Sequence, residues 1–217
     1  MRIVEKLIAG DAVRRTRFHT EAGAACQVDG VPGVIPAAWT WLRSRMGAGS
    51  APEPWWVWEA SRFVAQHLRP SDHVLEAGSG NSTLWLAKRC AAVHSIEEDP
   101  KWRDRVARDA QCAGLENVTL HAGRSATVFR DLLDRQAWDV VVIDSPCDRL
   151  RMFRRLLLEQ RPRVVVYDDT DRVENQAALD PDHDYDARTF RGFKPQTLHT
   201  CETTVFMRPE TLEERCA

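Results

Sequence analysis

The stretch His73-Val-Leu-Glu-Ala-Gly-Ser-Gly-Asn-Ser-Thr83 decides how the chain is read. Val74 and Leu75 form a short apolar run that predicts a buried strand, with Glu76 an acid at its carboxyl end. Gly78 and Gly80 then predict a turn, and Leu84 to Arg89 a helix with Asn81, Ser82 or Thr83 as its N-cap. A strand, a glycine turn and a helix in this order bring bare backbone N–H groups close to a ligand. Gly78, Ser79, Gly80, Asn81, Ser82 and Thr83 are therefore candidate binding positions. Two glycines in a strand-to-helix turn also arise for purely structural reasons, so the segments that follow must decide.

Val93 to Ile96 is a second apolar run, and it ends in Glu97-Glu98-Asp99-Pro100. An acid roughly 20 residues beyond a glycine turn, at the tip of the next parallel strand, suits a bidentate grip on ribose hydroxyls. Nicotinamide dehydrogenases and S-adenosylmethionine (SAM) methyltransferases both place one there. The dehydrogenase fingerprint wants glycine or alanine at its sixth position, which here is Thr83. Glu76 would also set a carboxylate towards pyrophosphate, which is unfavourable, whereas the cationic methionine end of SAM is favoured there. SAM is the better ligand.

With those residues in place, a resemblance can be stated. Glu76-x-Gly78-x-Gly80, Ile96-Glu97-x-Asp99-Pro100, Ala113-Gly114-Leu115, Val118-Thr119-Leu120 and Gly123-x-Ser125 resemble the class I SAM-dependent methyltransferases. Within that class the chain is most similar to small-molecule O-methyltransferases of the catechol and macrolide-sugar type. The resemblance runs from about Val74 to Asp169, and the first 70 residues match nothing in it. It implies that Glu97 holds the ribose and Glu76 sits near the methionine moiety. Gly123, Arg124 and Ser125 then fall at the adenine edge, and Asp144 is counted among the cofactor-binding residues.

Ligands of an open α/β sheet bind beyond the carboxyl ends of its strands, where this chain places Glu76, Glu97, Asp144, Asp168 and Asp169. The resemblance gives Asp144 and Asp168 catalytic roles. Asp144, Asp168 and Asp169 also suit a hard divalent ion such as Mg²⁺, which would orient an acceptor and lower its pKa. One departure speaks against the metal: the catechol enzymes carry a lysine three residues beyond the first acid, and here that position is Cys147. The alternative is a metal-free enzyme with Asp144 as the general base.

Strands are expected near Val74-Leu75, Ala92-Ile96, Val118-Leu120, Trp138-Ile143 and Arg163-Tyr167, alternating with helices near Leu84-Arg89, Pro100-Ala113, Ala126-Leu133 and Leu150-Glu159. Val140 to Ile143 and Val164 to Val166 lack polar alternation, as in a parallel sheet covered on both faces. The fold class is thus α/β: a doubly wound, Rossmann-like methyltransferase sheet, mostly parallel. Phe190 to Phe193 and Thr203 to Met207 would close it as an antiparallel C-terminal hairpin. Residues 1–54 read as an N-terminal helical cap and residues 55–217 as the methyltransferase domain. The cap should hold helices near Ile3-Ile8 and Ala37-Met46, broken at Gly30 to Pro36 and Gly47 to Pro54, before a helical pattern over Trp55-Leu68. Trp39, Trp41, Trp55, Trp56 and Trp58 either pack that cap or wall an acceptor pocket.

A net charge of −2 and a pI near 6.4 offer no bulk attraction for nucleic acid or anionic membrane. No apolar run has transmembrane length, and the N-terminus lacks a signal-peptide core. Six scattered cysteines without a CxxC pair read as reduced thiols of a cytoplasmic protein. Arg149, Arg151, Arg154 and Arg155 are expected as a solvated basic helix face, and His183 as part of a polar loop. Arg188, Arg191 and Lys194 either bind an acidic substrate or balance the aspartates that precede them. The expected function is methyl transfer from SAM to oxygen of a small molecule. The alternatives are a non-catalytic SAM-binding module and an RNA methyltransferase, the latter lacking an Asn-Pro-Pro-Tyr type of motif. A homodimer stays open.

Overall fold

In a computed structural model of the chain, residues 9–47, 53–180 and 183–209 are described. Among them seven strands form one sheet: β1 (His73–Ala77), β2 (Ala92–Glu97), β3 (Val118–Ala122), β4 (Val140–Ile143), β5 (Val164–Asp168), β6 (Asp186–Gly192) and β7 (Cys201–Met207). Their order is β3-β2-β1-β4-β5-β7-β6. The first five are parallel, and β7 runs antiparallel between β5 and β6. The chain leaves β1 for β2 on one side and returns to β4 on the other. The crevice above the carboxyl ends of β1 and β4 is therefore the switch point where such sheets bind ligands.

The described helices flank the sheet: α1 (Val34–Arg45), α2 (Trp58–His67), α3 (Asn81–Ala87), α4 (Pro100–Cys112), α5 (Ser125–Leu133) and α6 (Arg149–Glu159). Alternate strand residues feed two cores, as the two-residue period of a strand requires. Val74, Val140 and Val164 meet Trp56, Val64, Trp85 and Leu86 on one face. Leu75, Val141 and Val165 meet Phe129, Met152, Phe153 and Leu156 on the other. With both faces covered, the apolar runs of β4 and β5 are buried throughout. Asp99 caps α4 by accepting from Lys101 N at 2.8 Å, and Pro100 sits at its first position, where no N–H is missed.

Three sequence expectations change. The helix after β1 starts at Asn81, so Gly80 is its cap and Asn81 to Thr83 lie inside it. The pattern over Trp55-Leu68 becomes a helix only from Trp58, because Trp56 and Val57 are fully buried against the sheet ahead of it. His183 is not a polar loop side chain: its ring packs edge-on against Phe153 and Phe206. The expected hairpin is present and longer than the apolar residues alone marked.

The expected helix at Ile3-Ile8 lies outside the described residues, as does most of the Gly47 to Pro54 break. The rest of the cap is laid along β6. Gln27 N donates to Arg191 O at 2.9 Å, and Arg191 N donates back to Gln27 Oε1 at 2.9 Å. A Cβ on Gly30 would fall 2.5 Å from Arg191 O, so only glycine allows this approach. The cap thereby satisfies backbone groups of an edge strand that would otherwise be open to pairing. The described cysteines, Cys26, Cys90, Cys112, Cys147 and Cys201, are free thiols. No described helix is long and apolar enough to cross a membrane.

Candidate active site

The turn after β1 is tied to β4 by a missing side chain. Gly78 has φ +99, and a Cβ there would lie 2.4 Å from the Asp144 carbonyl oxygen. Any other residue would be strained and would push β1 and β4 apart. Gly80 differs: its backbone is extended, and a Cβ would meet nothing within 4 Å. Its bare edge borders open space, as a close approach by a ligand requires.

Glu76 lies fully buried beneath this turn. Thr83 Oγ1 donates to its Oε2 at 2.5 Å and Ser95 Oγ at 2.6 Å. Burial pushes the carboxyl up to about 7, against the pull of the Ser82, Ser95 and Thr83 hydroxyls. Its other oxygen, Oε1, is buried with no well-aligned donor among the described residues, although the Ser82 hydroxyl is near enough to favour the charged form. A buried carboxyl with an underused oxygen beneath a glycine turn, ready to ionise beside a cation, fits the cationic end of SAM. Thr83, which breaks the dehydrogenase fingerprint, therefore has a structural task. It accepts from Gly80 N at 2.9 Å while it holds Glu76, and so locks the turn over the acid. Ser79 Oγ lies 2.7 Å from Ser95 Oγ, and Trp102 Nε1 donates to Ser79 O at 2.7 Å.

Glu97 ends β2, and its Oε1 accepts from Asp99 N at 2.9 Å. Its neighbour Glu98, which the sequence does not single out, joins the candidate site. Glu98 Oε1 accepts from Ser125 N at 2.7 Å, at the first turn of α5, where an anion is favoured. Gly123 takes φ +129 just before it, and Arg124 reaches Asp148 at 3.9 Å. The residues expected at the adenine edge are thus assembled, with a carboxylate already on their backbone donor.

Asp144, Asp168 and Asp169 also converge, with oxygens within 4.8 Å of one another. The surprise is what joins them. Lys194 Nζ lies 2.7 Å from Asp168 Oδ2 and 2.6 Å from Asp169 Oδ1. Arg149, buried at the first position of α6, reaches Asp144 Oδ1 at 3.0 Å and Asp169 Oδ2 at 3.3 Å. Its remaining donors go to Ser145 O at 2.5 Å and Asp168 O at 2.6 Å. Arg172 adds an ion pair to Asp169 Oδ2 at 2.7 Å, and Thr203 Oγ1 donates to Asp168 Oδ1 at 2.6 Å. Burial and then Asp168 push Asp144 up to about 8. Burial likewise raises Asp168. For Asp169 burial is outweighed by Lys194 and Arg149, which hold it below the usual carboxylate range.

This donor set does not fit Mg²⁺. Three carboxylates already face Lys194, Arg149 and Arg172, and an added double charge would sit beside the ammonium that bridges two of its ligands. Arg149 also leaves the solvated basic face on which the sequence placed it. Lys194 balances Asp168 and Asp169, not the aspartates just before β6, while Arg191 pairs with Glu202 at 2.7 Å.

Next to the turn, a cavity of about 290 Å³ is lined by Pro36, Trp39, Thr40, Trp58, Asn81 and Pro195, among others. Trp39 and Trp58 of the cap-region tryptophans therefore wall it. Trp56 is core against Trp85, and Trp41 lies under Arg45.

Strand order, crevice and helical flanks make this the class I methyltransferase fold. No family model matches the sequence. Among solved structures the chain is similar to the O-methyltransferase TomG of Streptomyces achromogenes, involved in tomaymycin synthesis and solved with SAM. That likeness has 21% identity, covers 96% of this chain and 95% of that one, and gives a TM-score of 0.56. It is also similar to an O-methyltransferase of Bacillus cereus in complex with SAH, at 15% identity, 84% and 92% coverage and a TM-score of 0.59. In sequence it is 34% identical over 103 residues to the 23S rRNA (uracil(1939)-C(5))-methyltransferase RlmD of Klebsiella pneumoniae. That match covers 46% of this chain and spans only 24% of the length of the relative.

Proposed function

We propose that the chain transfers a methyl group from SAM to oxygen of a small-molecule acceptor. The observation that carries this is the underused Glu76 oxygen beneath a glycine turn, beside a tryptophan-walled cavity that shares Asn81 with that turn. On this reading the cofactor lies across Glu76, Gly78 to Thr83, Glu97 and Gly123 to Ser125. The acceptor enters between Trp39 and Trp58. Asp144 takes the hydroxyl proton as the oxygen attacks the methyl carbon. The carbon–sulfur bond breaks with its electron pair going to sulfur, and S-adenosylhomocysteine leaves. Such an in-line displacement needs little beyond alignment of nucleophile and sulfonium, so positioning supplies most of the rate.

Calorimetric titration tests the cofactor half. SAM should bind with low-micromolar affinity, roughly −8 kcal/mol. Glu97→Ala should weaken it ten- to a hundredfold, about 1.5–3 kcal/mol for a lost charged acceptor of ribose hydroxyls. Equal affinities for the two proteins would end the Glu97 assignment. Preference for NAD over SAM would end the whole reading.

A second reading, an RNA acceptor, is favoured by one surface and by the partial match to RlmD. Two cavities of about 410 and 360 Å³ meet along α6 and share Asp148, Arg151 and Arg154. Arg130, Arg155 and Arg172 on their walls are spent on Asp131, Glu159 and Asp169. Arg151 and Arg154 have no ion pair among the described residues. If RNA docks there, binding should fall with salt, and Arg151→Glu with Arg154→Glu should flatten the log–log slope by about 0.7–0.9 for each phosphate no longer neutralised. The small-molecule reading expects the double variant to change no such slope.

A further inference from the structure

We infer that Lys194 is the resident cation of the Asp144–Asp168–Asp169 cluster and takes the place that a divalent metal would hold there. Five of the cluster's six carboxylate oxygens are held by a side chain. Asp168 spends Oδ1 on the Thr203 hydroxyl and Oδ2 on Lys194, at 2.6 and 2.7 Å. Asp169 spends Oδ1 on Lys194 at 2.6 Å and Oδ2 on Arg172 at 2.7 Å. Asp144 is held by Arg149 at 3.0 Å. The ammonium therefore bridges two carboxylates that come from one strand tip, as a metal would, while Thr203 fixes the outer oxygen of Asp168 and Arg172 that of Asp169.

The segment that carries this lysine also borders the tryptophan-walled cavity. An ammonium has three donors, and two are accounted for by Asp168 and Asp169. The next residue, Pro195, lines the tryptophan-walled cavity. Gln196 N donates to Thr40 Oγ1 at 2.9 Å, and Thr40 lines that cavity too. Residues 194–196 thus join the carboxylate cluster to the pocket. On the methyl-transfer reading, an acceptor oxygen that gives up its proton meets an ammonium instead of a Lewis acid. That consequence rests on the proposed function, whereas the cation assignment does not.

Manganese titration followed by electron paramagnetic resonance tests the assignment on the full chain. The wild type should leave the free Mn²⁺ signal unchanged up to millimolar metal. Lys194→Ala uncovers the three carboxylates and should bind Mn²⁺ at least tenfold more tightly, with Asp168→Asn added to it removing the gain. SAM titration of the same samples reports separately on fold and on the cofactor half of the proposed function. Stoichiometric Mn²⁺ binding by the wild type below millimolar metal would overturn the inference, and this arm needs no variant to fold. Failure of a SAM-competent Lys194→Ala to gain Mn²⁺ would overturn it as well.

Discussion

Replacing Arg149 by methionine is expected to cost about 3–5 kcal/mol of stability at pH 7, the usual result of removing one partner from a buried ionic group. Arg149 is only 8% exposed. Its fork satisfies two carbonyls, Ser145 O and Asp168 O, and faces two carboxylates, Asp144 and Asp169. Methionine fills much of the volume but leaves all four without that donor set. Lysine should rescue little, because one ammonium cannot reproduce a planar fork. For a chain of this size the melting temperature should fall by roughly 6–20 °C. The pH dependence has a definite sign. Asp144 is raised to about 8 when folded, so its ionisation works against the fold as pH climbs from about 4 to 8, and the wild-type penalty then levels off. Arg149 is one of the groups that lower Asp144. Without it the penalty keeps growing above pH 8, and the gap between the proteins should widen there. Urea unfolding at pH 7 and pH 9 measures both effects. A loss below about 1 kcal/mol at both would show that the cluster does not depend on this arginine.

The sheet was legible because its signals are local. Unbroken valine runs at Val140 to Ile143 and Val164 to Val166 state that both faces are covered, and the acids at the strand tips state which end is the site. Glu76, Gly78 and Glu97 stand out as candidates in this way, each where a strand stops. Arg149 was hidden by company. It sits among Arg151, Arg154 and Arg155 in the sequence, yet as the first residue of α6 it reaches Ser145 O, Asp168 O and Asp144 Oδ1 at the tips of β4 and β5, while Arg151 and Arg154 make no ion pair among the described residues. Its distance of five residues from Asp144 was a usable clue. Lys194 had no such clue, because its approach to Asp168 depends on β7 inserting between β5 and β6, a long-range pairing that no local pattern encodes. Glu98 carries no separate signal, since Glu97 already accounts for an acid at that tip. The tryptophans split for the same reason: Trp39 and Trp58 line the cavity and Trp56 is core, a distinction made by packing and not by spacing.

SAM affinity should rise by up to tenfold per pH unit between pH 5 and 7, and a single carboxyl, that of Glu76, is the reason. In the free protein burial holds this carboxyl near 7, so at pH 5 it is protonated. A cation bound beside it favours the ionised form. Binding below pH 7 must therefore expel a proton, and the apparent affinity falls as that proton becomes harder to remove, by up to a hundredfold at pH 5. The range stops at 7 because the amino group of SAM itself begins to titrate near 8. Glu76→Gln keeps one oxygen for Thr83 and Ser95 and removes the charge, so its affinity should be nearly flat across the range and close to that of the wild type at pH 5. Stability should move the other way. A carboxyl whose pKa is raised from 4.5 to about 7 on folding loses stability as pH rises through that window. The glutamine variant escapes that loss and should be more stable than the wild type at pH 8, by up to roughly 2–4 kcal/mol on the linkage scale of 1.36 kcal/mol per unit. The acid would then be retained for the cofactor at the expense of the fold, as at other strained sites. Calorimetry in buffers of differing ionisation enthalpy counts the released proton directly. A pH-independent SAM affinity in the wild type, with no proton released at pH 6, would show that Glu76 does not sense the cofactor.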